Sequence, residues 1–391
     1  MLVLVLILTG LILGTVASGA TAPGQEKTLV VGTSLGLEGK LGAAIAKVPV
    51  GTGAGQIDPD APRGFLGIPG APKINPLLAF LWAIWVGWIF STVGAFGGIM
   101  AGVGHMTIFG LGDYTKTFKN TANDFNKILT DCIRMSNQWL VGLSSAISSL
   151  NYLRAKRLAW PLGLALGAGS LFGAVVIPYL TGGKISFSQY QGWFGVAVFV
   201  VGGFLLYETT PKGQAGKKAA KAAAQAFEKS VKEKGEAKDE GIVVKSWSIT
   251  NIRFSFFGVE FGFNPVMAFV GGVIIASISS FLGVGGGFLY VPYLTSLVGL
   301  PMFVVAGTSA LAVLISMISS IASYLNFAGA AVDWALIGTE LIGVFIGSMI
   351  GPRTQKYIPD IWLKRLFVLL ALYVGLGYFS KGFFGSAWVP M

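Results

Sequence analysis

FGFNPVMAFVGGVIIASISSFLGVGGGFLYVPYLTSLVGLPMFVVAGTSALAVLISMISSIASYLNFAGAAV, residues 261–332, runs for 72 residues without one Asp, Glu, Lys or Arg. A helix needs about 20 apolar residues to cross about 30 Å of hydrocarbon, so this run is long enough for more than two crossings. Four more uncharged runs lie at 74–112, 135–153, 158–183 and 185–207. A buried helix in a soluble protein would explain one of them, not five. Composition agrees: 53% of residues are hydrophobic and 12% charged, against about 25% charged in a typical soluble domain. The 56 glycines follow no triplet period, and in membrane helices small residues let backbones approach. The expected fold class is an all-α polytopic integral membrane protein.

Working outward from that run, its opening recurs earlier in the chain. Asn264-Pro265-Val266-Met267-Ala268-Phe269 matches Asn75-Pro76-Leu77-Leu78-Ala79-Phe80 at an offset of 189. At the same offset Ser280 matches Ser91, Gly283 matches Gly94, and Gly286-Gly287 match Gly97-Gly98. Ser145, Ser148 and Ser149 recur as Ser316, Ser319 and Ser320, offset 171. Trp160, Gly169, Gly173 and Pro178 recur as Trp334, Gly343, Gly347 and Pro352, offset 174. The series predicts a duplication. Its parts are a (75–104 and 264–298), b (135–153 and 303–325), c (158–178 and 333–351) and d (187–207 and 362–380). The domains expected are a first repeat over 75–207, with an amphipathic insertion at 105–134, and a second repeat over 259–385. Residues 1–20 read as a signal peptide or a first membrane anchor, and 21–74 as an exported segment. Residues 208–258 read as a basic, solvated cytoplasmic linker, with a helix over the Ala/Lys-rich stretch and a short hairpin after it.

Basic loops stay in the cytoplasm. The linker, with ten Lys/Arg and six Asp/Glu, belongs inside, as does the first b–c loop with Arg154, Lys156 and Arg157. In the second half the b–c loop has no basic residue, while the c–d loop carries Arg353, Lys356, Lys364 and Arg365. The halves are therefore expected to be inverted, each with a Gly-broken helix hairpin (part a) plus three transmembrane helices. The 39 uncharged residues at 74–112 would make a single helix of about 58 Å, too long for one crossing.

Non-helical backbone at membrane depth is tolerated where it lines a cavity. The helix after such a turn presents free N–H groups and a positive dipole end, an anion site. The candidate substrate residues are Ser91, Gly94, Gly97 and Gly98 in one turn, and Ser280, Gly283, Gly285, Gly286 and Gly287 in the other. Close helix packing is the alternative role for these glycines. Asn137, Thr308 and Ser309 of part b add hydrogen-bonding groups, with interhelical bonding as their alternative role. Glu340, six residues into the second part c, is a carboxylate among apolar neighbours and the candidate for proton coupling. Interfacial depth or a basic partner would equally explain it. One cysteine and one histidine leave no metal-ligand set, and the glycines lack the Lys-Ser/Thr of a phosphate loop. No catalytic constellation is present and no cofactor is implied.

GVGGGFLYVPYL (283–294), AGTSALAV (306–313), GAAVDW (329–334) and the GxxxG of the second part c resemble the TauE/SafE family, the sulfite exporter-like membrane permeases. The resemblance covers about 75–207 and 259–385, and in the first half Phe96 stands for Gly285 and Val103 for Pro292. It implies a membrane transporter of two inverted repeats that exports sulfite, sulfonates or related anions, with proton coupling. It adds Pro292 to the substrate residues and supports Gly283, Gly285, Gly286 and Gly287, with Gly94, Gly97 and Gly98 by repeat symmetry. The partners expected are a small inorganic or organic anion and the lipid bilayer of the cell membrane, not nucleic acid, with a homo-oligomer left open. The contrasting reading is a membrane scaffold or sensor that uses 21–74 and 208–258 as interaction regions.

Overall fold

The computed structural model of the protein describes residues 39–181, 187–215, 217–234, 241–282, 287–325 and 330–390. The first half holds α1 (Gly39–Ile45), α2 (Pro76–Val93), α3 (Gly97–Val103), α4 (Leu111–Thr117), α5 (Asn123–Arg154), α6 (Trp160–Thr181) and α7 (Phe187–Glu208). A middle unit follows: α8 (Pro211–Ala215), α9 (Lys218–Lys234), β1 (Val243–Ser246), β2 (Ile252–Phe256) and β3 (Val259–Phe263). The second half holds α10 (Pro265–Leu282), α11 (Gly287–Pro292), α12 (Met302–Ser323), α13 (Trp334–Gln355) and α14 (Asp360–Phe384). Among the described residues α2, α12, α13 and α14 are long and apolar enough to cross a membrane, and α6, α7 and α10 carry shorter apolar stretches. The protein is a mostly helical membrane protein.

The repeated Asn-Pro is a helix start. Asn75 Oδ1 accepts from the N–H groups of Leu77 and Leu78 at 2.9 and 3.3 Å. Asn264 Oδ1 does the same for Val266 and Met267 at 2.9 and 3.2 Å. Proline follows at the first helical position, where its missing N–H costs nothing.

Part a is a hairpin in both halves. α2 ends on Gly94 in the left-handed region (φ 78°), Phe96 shares that region (φ 65°), and α3 runs back along α2. Trp82 Nε1 donates to Met100 O at 3.0 Å, although one continuous helix would hold these residues about 27 Å apart. In the second half Tyr293 OH donates back to Met267 O at 3.3 Å. The Trp82 ring lies against Gly104, and the Tyr293 ring against Gly271. Trp82 and Gly271, like Gly104 and Tyr293, are related by the offset of 189, so the same aromatic–glycine contact recurs with its members exchanged. Each short arm ends in a π-turn at the same repeat position, Gly104–Ile108 and Tyr293–Leu297. Pro292, the last residue of α11, removes one N–H from the ladder just before the second π-turn.

Between the halves, α2 lies along α13, α10 along α6, and α7 along α14. A Cβ at Gly343 or Gly347 would strike the backbone carbonyl of Phe80 or Ile84, and one at Gly169 or Gly173 that of Phe269 or Val273, all well under 3.0 Å. The four positions pair off at the repeat offsets. The GxxxG glycines thus let backbones touch, as small residues do between membrane helices.

Three segments differ in detail from expectation. Residues 105–134 are not one surface helix: after the π-turn and α4, the rest is the first turns of α5, whose 32 residues make about 48 Å of helix, longer than the bilayer core is thick. No Gly or Pro interrupts 123–141, so nothing stops the helix at the membrane surface. The expected solvated linker is folded and docked. On α9, Ala220, Ala223, Ala224, Phe227 and Val231 form a buried stripe at helical spacing. Phe227 packs on Phe256, Phe257 and, at 4.4 Å between ring centroids, Phe303 of α12. The expected hairpin is β2–β3, with β1 added antiparallel as a third strand. Of the expected exported segment, 39–74 is described: Phe65, Leu66 and Ile68 are buried, and Leu66 N–H donates to Asp333 Oδ2 at 2.8 Å. The 1–20 segment lies outside the described residues.

These contacts put residues 39–74 and the middle unit on opposite ends of α13. Its N-cap Asp333 holds Leu66 and Leu336. Near its C-terminus Gln355 and Pro352 accept from Arg157, whose guanidinium lies 5.5 Å from the centre of the Phe227 ring. The 22 residues between span about 33 Å. The ends are called here the N-face, carrying 39–74, and the linker face.

Candidate functional site

The first hairpin turn meets the start of α11. Gly287, at the start of α11, faces Ala95 Cα and Gly94 O, each 3.5 Å from where a Cβ would stand. Beside them lies a small cavity of about 10 Å³, room for about one water, lined by Phe90, Phe96, Gly97, Gly98, Ile99, Val141, Gly287 and Phe288. Its walls are apolar rings and aliphatic groups, and its polar content is backbone. The first hydrogen bond of the α3 ladder runs from Met100 N to Phe96 O at 2.8 Å. The N–H groups of Gly97, Gly98 and Ile99 come ahead of it, at the positive end of the helix. Glycine at 97, 98 and 287 keeps side chains out of this space. Gly94 is required for a further reason, its left-handed φ, and a Cβ there would also meet Ser309 Oγ and Ala306 Cα.

The hydroxyls named from sequence near this turn are engaged with backbone. Ser91 Oγ donates to Gly87 O at 2.7 Å, Ser309 Oγ to Gly94 O at 3.0 Å, and Thr308 Oγ1 to Val304 O at 2.8 Å while accepting from Ala159 N–H at 3.1 Å. Ser309 thereby ties α12 to the turn. Gln355 Nε2, not singled out from sequence, donates to Thr92 O at 2.8 Å and holds the turn from the other side. Pro292 ends α11, five residues beyond Gly287. Gly283, Gly285 and Gly286, and the side chain of Ser280, lie outside the described residues.

Asn137 is not with Thr308 and Ser309. It joins Glu340 through a residue the sequence reading left out, His105, the single histidine. His105 Nδ1 lies 2.6 Å from Asn137 Oδ1, and His105 Nε2 lies 3.1 Å from Glu340 Oε2. His105 and Glu340 are fully buried, both at 0% exposure. Glu340 Oε1 is buried and has no hydrogen-bond partner among the described residues. The geometry counts the protons. An amide oxygen only accepts, so Nδ1 carries a hydrogen. Between Nε2 and Oε2 there is then one proton, on the imidazole with a carboxylate opposite, or on the carboxyl with a neutral imidazole opposite. Either form is neutral overall, which is how a carboxylate survives here without water.

The π-turn brings His105 to this place. The extra residue in the turn reorients the side chains that follow it, a distortion frequent at functional sites. His105 ring packs edge-on against Phe109 at 5.5 Å. The only signal in the sequence was a histidine inside an uncharged run, and nothing in the spacing joins it to a glutamate 235 residues later. From the cavity at Gly97 to His105 the short arm rises about 12 Å.

No curated protein and no solved structure matches this chain. The sequence pattern of the family described as Sulfite exporter TauE/SafE matches residues 79–378, from the first turn of α2 into α14. The match takes in both hairpins, the cavity, His105, Asn137, Glu340 and the docked middle unit, and leaves out 39–74. With three quarters of its length matched, the chain belongs to the sulfite exporter TauE/SafE family of membrane transporters.

Proposed function

We propose that this protein is a proton-coupled secondary transporter that exports small sulfur-containing oxyanions, sulfite or an organosulfonate, across the cell membrane. It is read as a multi-pass protein of two inverted repeats, with the linker face in the cytoplasm. The observation that carries the reading is the meeting of the first glycine turn with the start of the repeat-related short helix α11 at one small cavity. Half-helix ends facing each other across an inverted repeat are the recurring plan of secondary transporters. An oxyanion would be held by backbone N–H groups at the turns, Gly97, Gly98 and Gly287 among them, with Gly94 shaping the approach. Gly283, Gly285, Gly286 and Ser280 would complete the second turn, and Ser91, Thr308, Ser309 and Pro292 would brace the two turns.

The proton would enter at Glu340. Its partnerless Oε1 is the atom that can take it, because the proton between Nε2 and Oε2 is already in place. Protonation there gives the pair one positive charge, about 12 Å from the cavity along α3. That charge favours an anion in the cavity, which links the two ions electrostatically. The scaffold reading gives no reason for a buried, partly satisfied Asn–His–Glu set.

The test is flux of radiolabelled sulfite into liposomes that contain the purified protein, with and without a pH gradient. Gly287→Val is the informative variant: its Cβ stands in ordinary contact, 3.5 Å from Ala95 Cα, Gly94 O and Phe90 Cε2, and its two further methyls take up the cavity. Flux in the wild type and its loss in folded Gly287→Val are expected. Full flux in that variant would remove the cavity from the pathway. A folded wild type that moves neither sulfite nor organosulfonates would overturn the substrate class.

A further inference from the structure

Glu340 is not the only carboxylate buried against a π-turn. Glu208, the last residue of α7, is 2% exposed. It meets the second π-turn, Tyr293–Leu297, which occupies the repeat position of the turn that carries His105. Ser296 Oγ donates to Glu208 Oε1, and Lys217 Nζ pairs with the same oxygen. Lys217 also donates to Thr295 O at 2.7 Å, from the same π-turn. Glu208 Oε2 is buried and has no hydrogen-bond partner among the described residues. The two sites thus share one plan. A carboxylate from a helix outside the hairpin binds the π-turn through one oxygen and leaves the other buried and unpartnered. Glu340 sits toward the N-face, and Glu208 on the linker face, beside the middle unit.

We propose that Glu208 is a second proton-binding site, serving the linker-face end of the pathway that Glu340 serves on the N-face. The proposal rests on the transport reading above and adds to it a named group on the other side of the membrane. The proton binds Oε2, the atom with an unmet valence for hydrogen bonding. With Glu208 neutral, the Lys217 charge loses its carboxylate and keeps the Thr295 carbonyl, which loosens the hold of the middle unit on the π-turn. Burial draws the Lys217 ammonium below the usual lysine range, with Glu208 pulling the other way. The neighbouring elements supply few competing charges. From α14, Asp360 and Lys364 pair with each other at 3.2 Å. Glu228 of α9 accepts from the Asp360 N–H at 3.0 Å. Lys212 of α8 is exposed, and α11 contributes only the Tyr290 phenol as a titratable group.

The test uses full-length protein in liposomes with one orientation selected, and sets the pH on each side separately. In the wild type, sulfite flux should respond to the linker-side pH by up to about tenfold per unit, the limit for one proton. Glu208→Gln should flatten that response to less than about twofold and keep the response on the N-face, while Glu340→Gln should do the reverse. Ser296→Ala keeps the ion pair and removes only the hydroxyl, so it should shift the midpoint of the linker-side response without abolishing it. This variant carries the test if Glu208→Gln fails to insert. A Glu208→Gln protein with the wild-type response on both sides would reduce Glu208 to an anchor for Lys217 and overturn the proposal. An independent readout needs no transport. Infrared difference spectra of the purified protein on acidification should contain a protonated-carboxyl band that is lost in Glu208→Gln. Absence of flux in the wild type would sink the transport reading alone, and a Glu208 band that never appears would sink this one.

Discussion

Glu340 shows what a single residue can tell and what it cannot. Its place among apolar neighbours marks it as a functional candidate, yet its meaning depends on His105. Replacing His105 by Gln takes away the imidazole whose Nε2 faces Glu340 Oε2 and shares its proton. The expected outcome is flux that no longer varies with N-face pH, and wild-type pH dependence in His105→Gln would contradict the shared-proton geometry. Cys132 offers a second test at this scale. It is the only cysteine, fully buried, with the Ala331 N–H donating to its sulfur at 3.2 Å. Thiol labelling should therefore be slow in the resting protein, and faster only if α5 and the segment before α13 separate during transport. Labelling at the rate of an exposed thiol would contradict this packing.

At the scale of elements, the interlocking of α2 with α13 and of α10 with α6 depends on four glycines. Gly173→Leu or Gly347→Leu would drive a side chain into a neighbouring backbone, and overpacking of this kind costs about 1–3 kcal/mol or more. Each should lower the thermal midpoint of the detergent-solubilised protein. Gly338→Leu, on the same helix as Gly347 but with nothing within 4 Å of its Cβ position, should not. Equal loss from all three would point to helix propensity rather than contact. The hairpins were legible in the sequence at this scale, because 39 uncharged residues overrun one crossing and glycines sit in the middle. The docking of α9 was legible in principle. Its stripe of Ala220, Ala223, Ala224, Phe227 and Val231 has helical period, but the surrounding lysines suit a solvated helix equally well.

For the whole molecule, the middle unit is part of the transporter body. Phe227 joins the sheet, α12 and Arg157, and truncating a buried phenylalanine costs about 3–5 kcal/mol. Phe227→Ala should expose the segment 209–258 to protease in intact vesicles, with the membrane helices still protected. Continued resistance would mean that the Lys217–Glu208 ion pair and the hydrogen bond from Asp360 N–H to Glu228 suffice to hold it.

What the amino-acid sequence determined by itself is whatever depends on local composition and internal comparison. Uncharged length set the membrane class, the offsets of 189, 171 and 174 set the parts, Asn-Pro set the hairpin starts, and the motifs around 283–294 pointed to the family. What tertiary structure alone decided is which distant residues share a neighbourhood. His105 with Glu340, Ser296 with Glu208, and Gly94 with Gly287 are each brought together across the two halves. Such pairings follow from how the hairpins interlock. No periodicity encodes them, because the chain between the partners is long and its path is set by backbone contacts at glycine, which leave no pattern of side chains to read.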